Sequence, residues 1–316
     1  MPTRQEIIKR ATINARNSWV SYTLQQEKEI YQVFNQTANE IAKRIERYSV
    51  QGKMVPGRLK LLLGNIKDEM DRLRPRLMGK LKTGMRQSID YGIKSGIEGV
   101  RGVLPDRYKL GIGSSFIGKD GKIRRFDAKI EKYGNSMWAK INGDALDFLA
   151  RYSPSGITLS DRIWDISWQA EKAIRNRIQM GILSGESASK LSRDIRGFLG
   201  EPERLYRRVR KGGRLVLSKP AEAYHPGMGV SRSSYKNAMR LARTEYARAY
   251  TEGTYRYGAQ KDWIKGYYFR TASGNPCPIC SDYDGTFFPK DAPPPIPVHP
   301  NCYCYAEIVT DEVEVK

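Results

Sequence analysis

Cys277 and Cys280 form the tetrapeptide C-P-I-C, and after 18 intervening residues come His299, Cys302 and Cys304 in H-P-N-C-Y-C. These are the only cysteines in 316 residues, and His299 is one of two histidines. A C-x-x-C turn presents two sulfurs to one point, and the later cluster offers three more donors, of which a tetrahedral zinc needs two. The spacing therefore predicts a structural zinc on Cys277, Cys280, Cys302 and Cys304, with His299 as the alternative ligand. If Cys302 and Cys304 lie on a strand in CYCYAEIV, their side chains share one face and both can ligate. Two disulfides in an oxidising setting, or four reduced thiols in a small core, remain open readings of the same residues. A catalytic zinc is disfavoured, because five thiol and imidazole groups without a neighbouring Glu or second His close the coordination shell to water. Pro293, Pro294, Pro295 and Pro297 should hold the intervening loop extended. An end segment of 46 residues, 271–316, buries little core and needs such a staple.

The elements ahead of this cluster read as helical. Ile30, Val33, Phe34, Ala38, Ile41 and Ile45 recur at steps of three and four, the mark of one buried helix face running from Glu6 to about Tyr48. After the break at QGKMVPG, Leu59, Leu63, Ile66, Met70, Leu73 and Leu77 form a short heptad-like seam that Pro75 should kink. The stripe continues through Met85, Ile89, Ile93 and Ile97, with Ser88, Gly92 and Gly96 beside it to let a neighbouring helix approach. Residues 102–136 are Gly-rich and basic, and read as an irregular insertion with one short hairpin at GKDGK. The stretch GIGSSFIGKD lacks the spacing of a phosphate loop. Helix returns with Ile163, Ile166, Ala170, Ile174, Ile178 and Ile182 behind a capping box from Thr158 to Asp161, then with Ala188, Leu191, Ile195 and Phe198 up to Gly200. RLYRRVRKGGRLVLSK reads as two short basic strands across a Gly-Gly turn, and Arg207, Arg208, Arg210, Lys211 and Arg214 are its candidate DNA contacts. A turn-rich linker holding His225 leads to a last long helix, about Ser233 to Gln260. Its apolar face, Ala238, Leu241, Ala242 and Ala249, also carries Glu245. A buried carboxylate there needs a partner, and Arg243 and Arg248 are the nearest in sequence.

Charge narrows the classes of partner. Fifty-five Lys and Arg against 34 Asp and Glu give +21. Residues 271–316 hold two basic and seven acidic side chains, so the first 270 residues carry +26. Such a field attracts polyanions, nucleic acid first and an acidic protein surface second. No stretch reaches the roughly 18–20 apolar residues of a membrane span, and no apolar run follows the charges of MPTRQEIIKR. A soluble, unsecreted protein without membrane contact is the expectation.

The helix AMRLARTEYARAYTEG, followed by KGYYFRTASGNPCPIC, Asp284-Gly285, Phe288 and the closing H-P-N-C-Y-C, resembles the C-terminal domain of phage head morphogenesis proteins, the Mu F-like minor head family. The resemblance covers about residues 235–309, and the basic hairpin and AYHPGMGVSRSSYKNA also look like relatives' sequence. Its structural motif falls on Arg243, Thr244, Glu245, Asp284 and Gly285. The family's pattern has Arg between the last two cysteines, where this chain has Tyr303. The resemblance implies a non-enzymatic minor head protein of the virion, inside the head near the portal and assembled in the host cytoplasm. Implied partners are the portal protein, packaged DNA without sequence preference, scaffold or major capsid protein, and further copies of itself. Two other classes compete. A zinc-supported nuclease needs a metal-activated water and a general base, yet His225 and His299 are the only imidazoles. A sequence-specific regulator needs a recognition motif, and no helix-turn-helix or finger spacing is present. The expected fold is mainly α, an elongated helical body with a small α+β C-terminal module stapled by the Cys/His cluster. Its expected parts are residues 1–200, the hairpin and linker 201–232, and the module 233–316.

Overall fold

The apolar spacing becomes long helices in the computed structural model. It describes residues 2–101, 103, 116–117, 123–124, 140, 142–149, 151–153, 156–199, 208–212, 214–217, 234–272 and 276–310. Residues 116–117, 123–124, 197–198, 208–211 and 214–217 are described by backbone alone. In chain order come α1 (Arg4–Arg47), β1 (Ser49–Val50), β2 (Lys53–Met54), a 3-10 turn (Pro56–Arg58) and α2 (Leu59–Arg101). Then follow β3 (Phe116–Ile117), β4 (Ile123–Arg124), α3 (Leu159–Leu183), α4 (Ala188–Leu199), β5 (Arg208–Lys211) and β6 (Arg214–Leu217). The chain closes with α5 (Ser234–Ala259), β7 (Ile264–Arg270), α6 (Pro278–Tyr283), β8 (Phe287–Pro289) and β9 (Tyr305–Thr310). The protein is mainly α with a small strand module at its C-terminal end, as the periodicity predicted.

Local chemistry sets the boundaries. Between α1 and α2 the QGKMVPG break forms a tight turn in which β1 and β2 pair, with Gln51 and Gly52 at φ 50° and 73°. Thr158 caps α3: its side chain accepts from the Asp161 backbone N–H while Asp161 accepts from the Thr158 backbone N–H. The sequence predicts a kink at Pro75, and α2 carries Pro75 inside one uninterrupted helical element. Proline removes one backbone hydrogen bond, but the buried residues Ile66, Met70, Leu73, Leu77 and Leu81 continue on both sides of it, and that burial overrides local propensity. β3 and β4 pair antiparallel on either side of GKDGK, whose own residues 118–122 lie outside the described ones, as does almost all of the 102–136 insertion.

The chain forms two compact units. Unit 2, Leu24–Lys82 and Ser153–Ala242, packs Ile30, Phe34 and Ile41 of α1, Ile66 and Leu73 of α2, Ile174 and Ile178 of α3, and Leu191 and Ile195 of α4 into its core. Arg44 of α1 reaches Glu69 of α2 at 2.5 Å, and that carboxylate, 3% exposed, also takes Arg72 at 2.9 Å. The α3–α4 corner is tied by Arg177, whose guanidinium donates to both Glu186 and Asp194. β5 and β6 pair Arg208 with Leu217, Arg210 with Leu215 and Lys211 with Arg214 across Gly212, so the basic hairpin is present in the backbone. Arg207 and His225 lie outside the described residues.

Unit 1 comprises Met1–Thr23, Thr83–Tyr152 and Arg243–Lys316. Here α2 and α5 meet through small residues. A Cβ at Gly92 would lie 1.8 Å from the Tyr250 carbonyl oxygen, and one at Gly253 would lie 2.4 Å from that of Ile89. Tyr246 fills the space over Gly84, and Tyr257 that over Gly96. Trp19 of α1 stacks on Tyr250 with ring centroids 4.6 Å apart, and its Nε1–H donates to Ser88 Oγ at 3.1 Å. The Tyr250 hydroxyl donates in turn to Ser95 Oγ at 2.8 Å.

Candidate metal centre

Two segments of unit 1 carry the donors and a third lies between them, and each is held by its own local device. The first follows β7, the middle strand of the antiparallel sheet β8-β7-β9. Cys277 is the N-cap of α6, and its Sγ accepts from the Cys280 backbone N–H at 3.4 Å. That hydrogen bond closes the C-x-x-C turn and favours sulfur in its charged form. The second device is the return into β8. Asp284 Oδ1 accepts from the Thr271 backbone N–H at 2.9 Å, and Gly285, at φ 78°, donates its N–H to the Phe269 carbonyl at 2.9 Å. A side chain at that φ is strained, which is why glycine serves there. The third segment is the proline strap and the turn beyond it. Tyr255 of α5 donates its hydroxyl to the Pro294 carbonyl at 2.7 Å. His299, Pro300, Asn301 and Cys302 then make a tight turn in which the Cys302 N–H donates to the His299 carbonyl at 3.2 Å. Asn301 sits at φ 62°, a region asparagine tolerates, and its N–H donates to Thr244 Oγ1 of α5 at 3.2 Å. The Arg-Thr-Glu motif thus has a visible local role through its threonine.

The N-terminal helix completes the support. Arg16 Nε donates to the Tyr303 carbonyl at 3.2 Å, and the Tyr303 ring lies 5.7 Å from that of Trp19. Tyr303 stands between the two late cysteines, and its ring meets that of Trp19. Beyond it, Glu307 of β9 is fully buried and accepts from Arg270 Nε at 2.6 Å and from Gln5 of α1. Glu245 is also buried, 3.6 Å from Arg248, one of its two expected partners.

The donors converge. His299 Nε2 is 3.1 Å from both the Cys277 and the Cys280 sulfur, and the Cys280 and Cys302 sulfurs are 3.9 Å apart. Two groups share Cys280, one with Cys277 and His299 and one with Cys302 and Cys304, each with its ligand atoms within 4.8 Å of one another. Cys280, Cys302 and Cys304 are buried, and all four thiols are free. The sequence expectation that Cys302 and Cys304 lie on a strand needs correction. β9 begins at Tyr305, and both cysteines lie in the segment before it, bent by the Asn301 turn.

Electrostatics differ from thiol to thiol. The Cys280 amide holds the Cys277 thiol below its ordinary value, while burial pushes Cys280 up to about 12. Cys302 is lowered to about 5, first by a hydrogen bond with Cys304 and then, against its burial, by backbone hydrogen bonds at Cys304 and Val298. The same contact with Cys302, together with burial, raises Cys304. Burial disfavours charge on His299, but the Pro300 carbonyl and the sulfurs of Cys302 and Cys277 outweigh it and raise the imidazole. Soft sulfur and imidazole donors at this spacing could hold zinc: a tetrahedral ion about 2.3 Å from two sulfurs separates them by about 3.8 Å, close to the Cys280–Cys302 distance.

All five sequence-predicted donors meet in this cluster. Arg208, Arg210, Lys211 and Arg214 belong to unit 2, on β5 and β6. Sequence reasoning missed Arg16, Trp19 and Gln5, which steady the module from the opposite end of the chain. Only the aromatic character of Trp19 at an otherwise helical core position hinted at a partner. Among the described residues, no helix is long and apolar enough to cross a membrane. Residues 172–307 match the family model described as phage Mu protein F like protein. Over that span the chain is similar to this family, and the likeness reaches back into α3, well before the motifs from which the sequence first implied it. No curated protein and no solved structure matches the chain.

Proposed function

We propose that this chain is a minor head protein of a tailed phage, present in few copies inside the head, docking on the portal and meeting packaged DNA through its basic surface. The observation that carries the reading is the match of residues 172–307 to the phage Mu protein F like family, which contains the whole Cys/His cluster. Two further features support it. The excess of +26 in the first 270 residues suits a protein enclosed with DNA. Buried carboxylates that an enzyme would spend on acid–base work are instead committed to cations: Glu69 to Arg44 and Arg72, Glu245 to Arg248, and Glu307 to Arg270. In this role the Cys/His cluster is a staple. A bound zinc would cross-link the α6 turn to the segment before β9, and the chain's own residues would hold that geometry: Thr244 the Asn301 turn, Arg16 the Tyr303 carbonyl, and Asp284 the loop after β7.

Quantitative mass spectrometry of purified particles, with empty heads alongside, tests the reading by counting this chain against the portal protein. A few to a few tens of copies in the head fraction is the expected outcome. Absence from every particle form would overturn it. Plasmid cleavage by the purified protein that stops in His299→Ala would replace it with the nuclease reading.

A further inference from the structure

Two groups of three donors share Cys280, and a tetrahedral ion takes four ligands, so one of the five donors must stay outside. We infer that a zinc-class divalent cation is held by Cys277, Cys280, His299 and Cys302, and that Cys304 is an outer thiol beside the Cys280 and Cys302 sulfurs. The inference rests on the reading of this cluster as a metal centre and replaces the all-cysteine set that spacing alone favoured.

Two observations separate Cys304 from the others. The first concerns His299. Its Nδ1 lies 2.8 Å from the Pro300 carbonyl oxygen, which can only accept, so Nδ1 carries the hydrogen and Nε2 is left with its lone pair. That lone pair stands 3.1 Å from the sulfurs of both Cys277 and Cys280. Imidazole ligands are oriented in this way, one nitrogen on a carbonyl and the other on the metal. The second concerns the turns. Cys277 to Cys280 and His299 to Cys302 are two i, i+3 pairs, each closed by a hydrogen bond from the amide of its last residue. Each pair presents two donors to one point, and the Cys280–Cys302 distance of 3.9 Å joins the pairs at a separation a tetrahedral ion demands.

Binding is charge-balanced in this arrangement. The three ligand thiols each release a proton to solvent, His299 coordinates as neutral imidazole, and Cys304 keeps its proton. The loaded site then carries one net negative charge instead of the two of a four-thiolate site, which lowers the cost of burying it.

X-ray absorption at the zinc edge of the full chain, purified anaerobically and loaded with zinc alone, is the direct test. The expected result is one zinc per chain with a shell of three sulfurs and one nitrogen, at about 2.3 Å and 2.0 Å. Cobalt(II) titration of variants supplies a second readout. Cys304→Ser should keep one metal, the three-sulfur spectrum and an affinity within about tenfold of the parent, whereas His299→Ala should lose affinity by more than that and change the spectrum. A four-sulfur shell in the parent protein overturns the ligand set and leaves the metal centre standing. So does loss of cobalt binding in Cys304→Ser with circular dichroism unchanged. A parent chain that takes up no zinc or cobalt under reducing conditions overturns the metal centre itself, and the head-protein reading is then decided by particle counts alone.

Discussion

Glu307 is the residue whose removal should matter most outside the cluster. It has no exposed surface, takes the Arg270 guanidinium, and reaches Gln5 of α1. Taking away one partner of a buried pair leaves the other charge uncompensated. Glu307→Leu is therefore expected to cost about 3 kcal/mol in urea unfolding, with part recovered when Arg270→Met is added. Equal loss in the single and double variants would show that the pair itself is not the source. The same scale explains why the donors were easy to read and their supports were not. Cysteine and histidine declare their chemistry by type, and C-x-x-C by spacing. Arg16, by contrast, differs in nothing visible from the other arginines of a basic helix until the Tyr303 carbonyl is found beside it.

Helices meet here by close approach, and that makes opposite predictions for glycines on one helix. Gly64 lies exposed in α2 with nothing near an added Cβ, so Gly64→Ala should stabilise by about 1 kcal/mol through helix propensity alone. At Gly92 the added Cβ would lie 1.8 Å from a backbone oxygen of α5 that cannot turn aside. Gly92→Ala should therefore destabilise, by about 3 kcal/mol. Thermal melts of the two variants beside the parent check both signs. A second element-scale prediction concerns the α3–α4 corner. Hydrogen bonds from Lys190 and then Arg177 hold the Glu186 carboxyl below its ordinary value of 4.5. A depressed carboxylate contributes stability that is complete above its unfolded value and is lost as pH falls through the lower folded value. Urea midpoints from pH 6 to pH 3 should accordingly fall less steeply in Glu186→Gln than in the parent. Parallel curves would mean that the corner does not respond to acid through this group.

For the whole molecule the charge distribution sets the expectation. DNA binding by the full chain should weaken with salt, the logarithm of affinity falling by about 0.9 per phosphate neutralised for each logarithmic unit of salt. Sequence preference should be small. Replacing Arg208, Arg210, Lys211 and Arg214 by glutamine should reduce that slope by about one for each side chain that meets a phosphate. Filter binding across a salt series measures it. An unchanged slope and affinity would show that the hairpin carries no phosphate contact.

The sequence by itself determined the helical class, the apolar faces and which Cys and His residues come together, because each is written in local spacing. Ile30 to Ile45 and Leu63 to Leu77 are buried as their periodicity required, the Thr158 cap formed, and the two Cys/His segments met. Tertiary structure decided what depends on distant partners. It kept α2 helical through Pro75, made β7 the middle strand between β8 and β9, and brought α1 to the C-terminal module. It also placed Cys302 and Cys304 before the strand instead of on it, with His299 Nε2 aimed at two sulfurs. Spacing names which groups can reach a point, but backbone turns and contacts hundreds of residues apart choose which of them do.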